Sequence, residues 1–196
     1  MVNGCVFCVY PEVIWRAARF CTLASDWSLY PEGFPYQRRT VYRPDPKEAV
    51  IEWELPPQSV IPLDRDYKYV ATRDAIDALP RAEKEIKELY KSVIAQVALL
   101  TIHEILISTP GRVIELVTFY GKVSTTDPAT GQPIQPLLLQ VSAKREVFST
   151  YVLSELDPVA CLNRLNALVS PHPYDLEPVK PTVDFDYLLT LSVHGI

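Results

Sequence analysis

The stretch RAEKEIKELYKSVIAQVALLTIHEILI, Arg81 to Ile107, decides the architecture, because it runs without proline or glycine in a chain that carries 18 prolines. Ile86, Leu89, Tyr90, Val93, Ile94 and Val97 recur at three- and four-residue steps, the spacing of one helix face. Glu83 and Lys87 stand in the favourable order four apart, a pair worth ~0.3 kcal/mol, so the apolar stripe must hold the helix by packing on something. Its second half is nearly all apolar and belongs in a core. Ser108-Thr-Pro-Gly111 is a stop signal.

The flanking text supplies the partner. Upstream, Arg39 to Arg43, a turn over Pro44 to Glu48, and Ala49 to Leu55 read as a hairpin. Ile51, Trp53 and Leu55 alternate with Glu52 and Glu54, which predicts a sheet with one wet face and both glutamates in solvent. Pro56-Pro57 ends that strand. Val60 to Leu63 and Tyr67 to Thr72 read as short additional edges. Downstream, Arg112 to Val123 alternates again, the loop Thr126 to Pro133 turns the chain, and Pro136 to Ala143 returns antiparallel. Asp157-Pro158 reads as an N-cap with proline at the first helical position, opening a helix to Val169. Val183 to Leu191 reads as a last strand or a linker. The expected fold class is α+β, an antiparallel sheet of hairpins packed against one long helix and a shorter C-terminal helix. Residues 1–29 form a leader, 30–178 the domain, and 179–196 a tail or truncated linker.

Composition narrows the function. With 196 residues and a formal charge of −5, the chain suits one core and lacks a global attraction to nucleic acid, although a local basic patch is permitted. Neither a dinucleotide-binding glycine fingerprint nor a P-loop occurs. The most apolar run, Val97 to Ile102, is too short to span a membrane, and the first residues do not complete a secretory pattern, so a cytoplasmic protein is expected. Cys5 and Cys8 have the spacing of half a zinc knuckle or a redox pair, but no second pair completes it; Cys21 and Cys161 are read with them as free thiols.

Candidate chemistry is sparse. Glu52, Glu54 and Lys144 are the nearest approach to a metal-dependent phosphodiesterase, which needs carboxylates on a cation and a lysine near the attacking water. The plain alternative is a solvated strand face. His103-Glu104 lacks the second histidine of a zinc-protease helix, His172 and His194 are turn and tail residues, and no serine sits in a nucleophile turn. Arg38, Arg39, Arg43, Lys144 and Arg145 form a candidate phosphate-binding set if the two hairpins are neighbours, with Tyr36, Tyr42 or Trp53 as flat surface nearby.

Three phrases add a resemblance: Tyr30 to Pro35 leading into Val41 to Pro57; Tyr67 to Asp74 with Ala95 to Glu104; and Gly121 to Gly131 before Asp157 to Ala167. In this order, over about residues 30 to 186, the chain resembles the accessory region that precedes the catalytic domain of bacterial Mrr-type restriction endonucleases. The resemblance implies a role in DNA restriction, positioning or regulating a DNA-cleaving domain or partner subunit. The PD-(D/E)xK cutting domain would begin where this chain ends. Gln140-Val-Ser-Ala-Lys144 is spaced too widely for its Gln-x-Lys element, so no catalytic residue carries over and Mg2+ is expected only for a missing or partner nuclease domain. An independent nucleic-acid-binding module and a protein-interaction or remnant domain are the alternatives. The sequence assigns no oligomeric state.

Overall fold

The computed structural model describes residues 34, 35 and 37–194, with side chains to 189. Strands β1 (Arg38–Arg43) and β2 (Glu48–Glu54) form the expected hairpin, with Arg39 opposite Glu52 and Arg43 opposite Glu48. Strands β3 (Asp64–Val70) and β4 (Ala75–Pro80) form a separate two-stranded arm, followed by helix α1 (Glu83–Ser108). Then come β5 (Leu116–Lys122), the short pair β6 (Thr125–Thr126) and β7 (Pro133–Ile134), and β8 (Leu137–Lys144). One turn, α2 (Arg145–Phe148), helix α3 (Pro158–Arg164), strand β9 (Leu168–Val169) and helix α4 (Phe185–His194) complete the order.

The main sheet runs β1-β2-β5-β8-β9. The α+β class holds, but the sheet is mixed: β2 and β5 pair parallel, with Ile51 opposite Phe119. A parallel pair needs a crossover, and α1 supplies it. The β5–β8 pairing is antiparallel as expected. Alternation along a strand reports which faces differ and says nothing of the neighbour's direction, which is why the parallel pair escaped the sequence reading.

Helix α1 covers one sheet face. Ile86, Tyr90, Ile94, Ile102 and Ile105 pack with Ile51, Trp53, Leu55, Phe119 and Val141 in the larger core. The helix is long and apolar enough to cross a membrane by length and composition, a property the shorter run counted from the sequence did not show; half of its most apolar 18-residue stretch is buried inside the fold. Gly121 lies on the helix-facing side of β5, where a Cβ would stand 2.7 Å from Leu55 Cδ1 and 3.2 Å from Phe119 Cε1. That close approach is the reason for a glycine within a strand.

The opposite face holds the main departures. Val41, Val50, Tyr120, Leu137, Phe185 and Leu188 make a second core there, under α4. The segment expected as a tail strand or linker is thus a helix that packs on the sheet. Asp184 marks its start, accepting from the Asp186 N–H at 2.9 Å. The covering helix, which reaches Arg39 beside Glu52, also explains why Glu52 is buried; Glu48 is buried as well and Glu54 half-buried, where the alternation placed Glu52 and Glu54 in water. Asp157 caps α3 as expected, accepting from Ala160 N–H, but the helix stops at Arg164 and Leu168 enters β9. Val60–Leu63 makes a 3-10 turn and loop, and the second expected edge becomes β3.

Gly121→Ala is expected to cost about 1–3 kcal/mol, because Leu55 is fully buried and must move. Urea denaturation of the variant beside the parent measures it.

Candidate functional site

On the α4 side of the sheet, polar side chains stand in register across three strands. Glu52 is held from two sides: Arg39 Nη2 lies 2.6 Å from Oε1, and Lys122 on β5 pairs with Oε2. Arg39 also reaches Asp186 of α4 at 3.0 Å and lies over the Phe185 ring at 4.9 Å. Toward the other end, Arg43 Nη1 donates to Glu48 Oε2 at 2.7 Å, and Thr118 Oγ1 donates to Glu48 Oε1 at 2.6 Å. Thr118 Oγ1 stands 2.8 Å from Ser142 Oγ, extending the row to β8. A carboxylate moved from water into a protein costs several kcal/mol unless matched, and here each buried glutamate is matched in place.

Tyr120 joins this face to the C-terminal segment. Its hydroxyl donates to Val183 O at 2.9 Å and accepts from Gln140 Nε2 at 3.2 Å, while Gln140 Oε1 accepts from the Thr182 N–H at 2.9 Å. Burial, followed by the charges of Glu48 and Asp184, pushes the Tyr120 hydroxyl up to about 12, against an opposing effect of Arg43.

A cleft of about 460 Å³ opens at the Glu52 end of the row, lined by Arg38, Arg39, Glu52, Trp53, Glu54 and Lys122, with Gln37, Ser124 and Gln135 at its sides. Three cations against two carboxylates leave it one positive charge in excess. Glu54 stands opposite Lys122 in the parallel register. Arg38 points to the other side of β1 from Arg39, and its guanidinium lies 5.5 Å from the Trp53 ring centroid.

The remaining expected site residues lie elsewhere. Lys144 pairs in register with Leu116, four to six positions along the sheet from Tyr120 and Lys122, which stand opposite Glu52 and Glu54. At ~3.3 Å per residue this separates it from those carboxylates by roughly 13–20 Å. Arg145 is turned inward: Nε donates to Ile114 O at 2.8 Å, Nη2 to Thr109 O at 2.9 Å, and Nη1 to Leu106 O. It satisfies carbonyls at the C-terminal end of α1, where the helix dipole favours a cation. The five candidate phosphate ligands therefore do not share one face. Tyr42 is buried, its hydroxyl donating to Val113 O at 2.8 Å. His103 packs on Phe148, with ring centroids 6.4 Å apart. Cys161 is buried and free; Cys5, Cys8, Cys21 and Tyr36 lie outside the described residues. Among the described residues, no three of His, Cys, Asp or Glu gather as metal ligands. The sequence reading missed Lys122, whose only signal was its place at the end of an alternating strand, and the roles of Glu48, Thr118 and Tyr120. No family model, curated protein or solved structure matches the chain.

Two outcomes follow from these contacts. Arg145→Ala is expected to lower unfolding free energy by about 2–4 kcal/mol, because buried carbonyls lose a charged donor, while Lys144→Ala stays within about 0.5 kcal/mol; denaturant titration separates them. For Tyr120, the unfolded chain sheds the phenol proton near its ordinary value of 10.0 and the folded chain keeps it to about 12, so this group's contribution is lost as pH rises through that window. Tyr120→Phe is expected to be less stable than the parent at about pH 9, and the gap is expected to narrow by about pH 11. Urea unfolding at both values tests the sign.

Proposed function

We propose that this chain is a non-catalytic accessory domain that positions or regulates a DNA-cleaving domain or partner, the role implied by its resemblance to the region preceding the catalytic domain of Mrr-type restriction endonucleases. The supporting observation is the double clamp on Glu52, held by Arg39 at 2.6 Å and by Lys122. A magnesium ion entering here would have to displace two cations from the same carboxylate, and the nearest lysine is committed to that ion pair and not open to an attacking water. Lys144, the lysine nominated from the sequence, is too far along the sheet to serve Glu52 or Glu54.

In this reading Mg2+ belongs to the nuclease partner, and the domain works in the cytoplasm, where DNA is cut. A phosphate-binding surface built from Arg38, Arg39, Arg43, Lys144 and Arg145 has less support, because Arg39, Arg43 and Arg145 are already bonded to carboxylates or carbonyls.

Purified chain incubated with supercoiled plasmid and Mg2+ is expected to leave the plasmid intact. Co-expressed with the PD-(D/E)xK catalytic domain of an Mrr-type endonuclease, the chain is expected to co-purify with that domain and change its cutting. Cleavage by the pure chain that disappears in Glu54→Ala or Lys144→Ala would overturn the assignment.

A further inference from the structure

The arm β3–β4 is built unlike the rest of the molecule. None of its residues is buried, and Tyr67, Tyr69 and Ile76 are 64%, 60% and 69% exposed. The register places Tyr67 opposite Ala78 and Tyr69 opposite Ile76, so these four side chains share one face of the ribbon, while Lys68 and Asp77 share the other. An isolated two-stranded ribbon is marginal in water, and three or more strands with an apolar face, or packing against a helix, are needed for independent stability. The outer edge of β3 pairs with no strand among the described residues. Residues 64–80 carry three cations, Arg65, Lys68 and Arg73, against four aspartates, so the arm attracts no polyanion.

We propose that β3 pairs with β3 of a second copy of this chain, antiparallel about a two-fold axis at Tyr67, joining two arms into a four-stranded sheet. The sequence Asp66-Tyr67-Lys68 is self-complementary in that register. Asp66 of each copy faces Lys68 of the other, and the two Tyr67 rings meet at the axis. Across the resulting sheet Lys68 stands between Asp77 of its own ribbon and Asp66 of the other copy, a row of alternating sign. In the single chain the Tyr67 N–H is occupied by its neighbour, Asp66 Oδ1 at 2.8 Å. Pairing gives that N–H a backbone acceptor and turns the aspartate to the facing lysine. The two apolar faces become one, with Tyr67, Tyr69 and Ile76 from each copy.

Sedimentation equilibrium of the full chain over a concentration series tests this. The parent is expected to dimerise. Lys68→Asp places aspartate opposite Asp66 at two positions, and Asp66→Lys places lysine opposite Lys68; each is expected to weaken dimerisation roughly tenfold or more. The double variant Asp66→Lys/Lys68→Asp restores opposite charges across the two-fold axis and is expected to recover part of the lost affinity, the rest being the cost of two acids facing at positions 68 and 77 within each ribbon. An equimolar mixture of the two single variants is expected to form a heterodimer, because one then carries two acids and the other two bases along the shared edge. Both positions are exposed, and circular dichroism confirms that the variants fold. A parent that stays monomeric, a dimer indifferent to both single changes, or single-variant losses that neither the double variant nor the mixture repairs would each overturn the proposal.

Discussion

Strand β2 is buried on both faces while carrying Glu48 and Glu52 on one of them, and this constraint organises the sheet around it. Glu48 and Glu52 are 6% and 7% exposed, with Val50 fully buried between them. Two carboxylates in that setting need partners whose geometry is fixed, since an unmatched buried charge would cost more than the domain could spare. Strand β1 supplies Arg39 and Arg43 directly opposite, and β5 supplies Thr118 and Lys122. A one-residue slip of β1 would send Arg39 and Arg43 to the helix side and Arg38, Thr40 and Tyr42 to the carboxylates. The pairs therefore specify register and strand neighbours, whatever they add to net stability.

The same constraint marks where the sequence was legible. Helix α1 was readable because its period, its lack of proline and its stop signal agree. The β1–β2 and β5–β8 pairings were readable because alternation flanks good turn residues in each. What alternation cannot disclose is the far side of a sheet. Glu52 looks solvated in Ile-Glu-Trp-Glu because the helix that covers it comes more than a hundred residues later. That helix had its own signal, an aspartate at 184 followed by Phe185, Leu188 and Leu189 at three- and four-residue steps, which competed with an equally plausible alternating strand.

Arg145 shows a second kind of illegibility. Beside Lys144 it forms a basic pair, and a basic pair on a loop suggests phosphate. Its partners are the carbonyls of Leu106, Thr109 and Ile114 and the Thr109 hydroxyl, which converge only when α1 lies on the sheet. A guanidinium suits this work because its donors are fixed in a planar fork and can serve several acceptors at once, which an ammonium on a flexible stem does poorly. Of the five cations nominated together, this one contributes most directly to the fold and least to any surface.

Arg81 ties the arm to the core. Arg81 donates from Nε to Pro62 O at 3.2 Å, its N–H donates to Leu63 O at 2.8 Å, and Nη1 pairs with Glu85 on the first turn of α1 at 2.7 Å. The base of the ribbon is thereby tied to the start of the helix that crosses over from β2 to β5. An insertion in a crossover connection costs little chain entropy, because closure cost grows only with the logarithm of loop length. Fixing such an insertion at its base turns a loop into an arm with a set direction, at the expense of exposing tyrosines and an isoleucine that a solitary domain would gain by burying. Pairing of two arms edge to edge, as we propose, would remove part of that exposure.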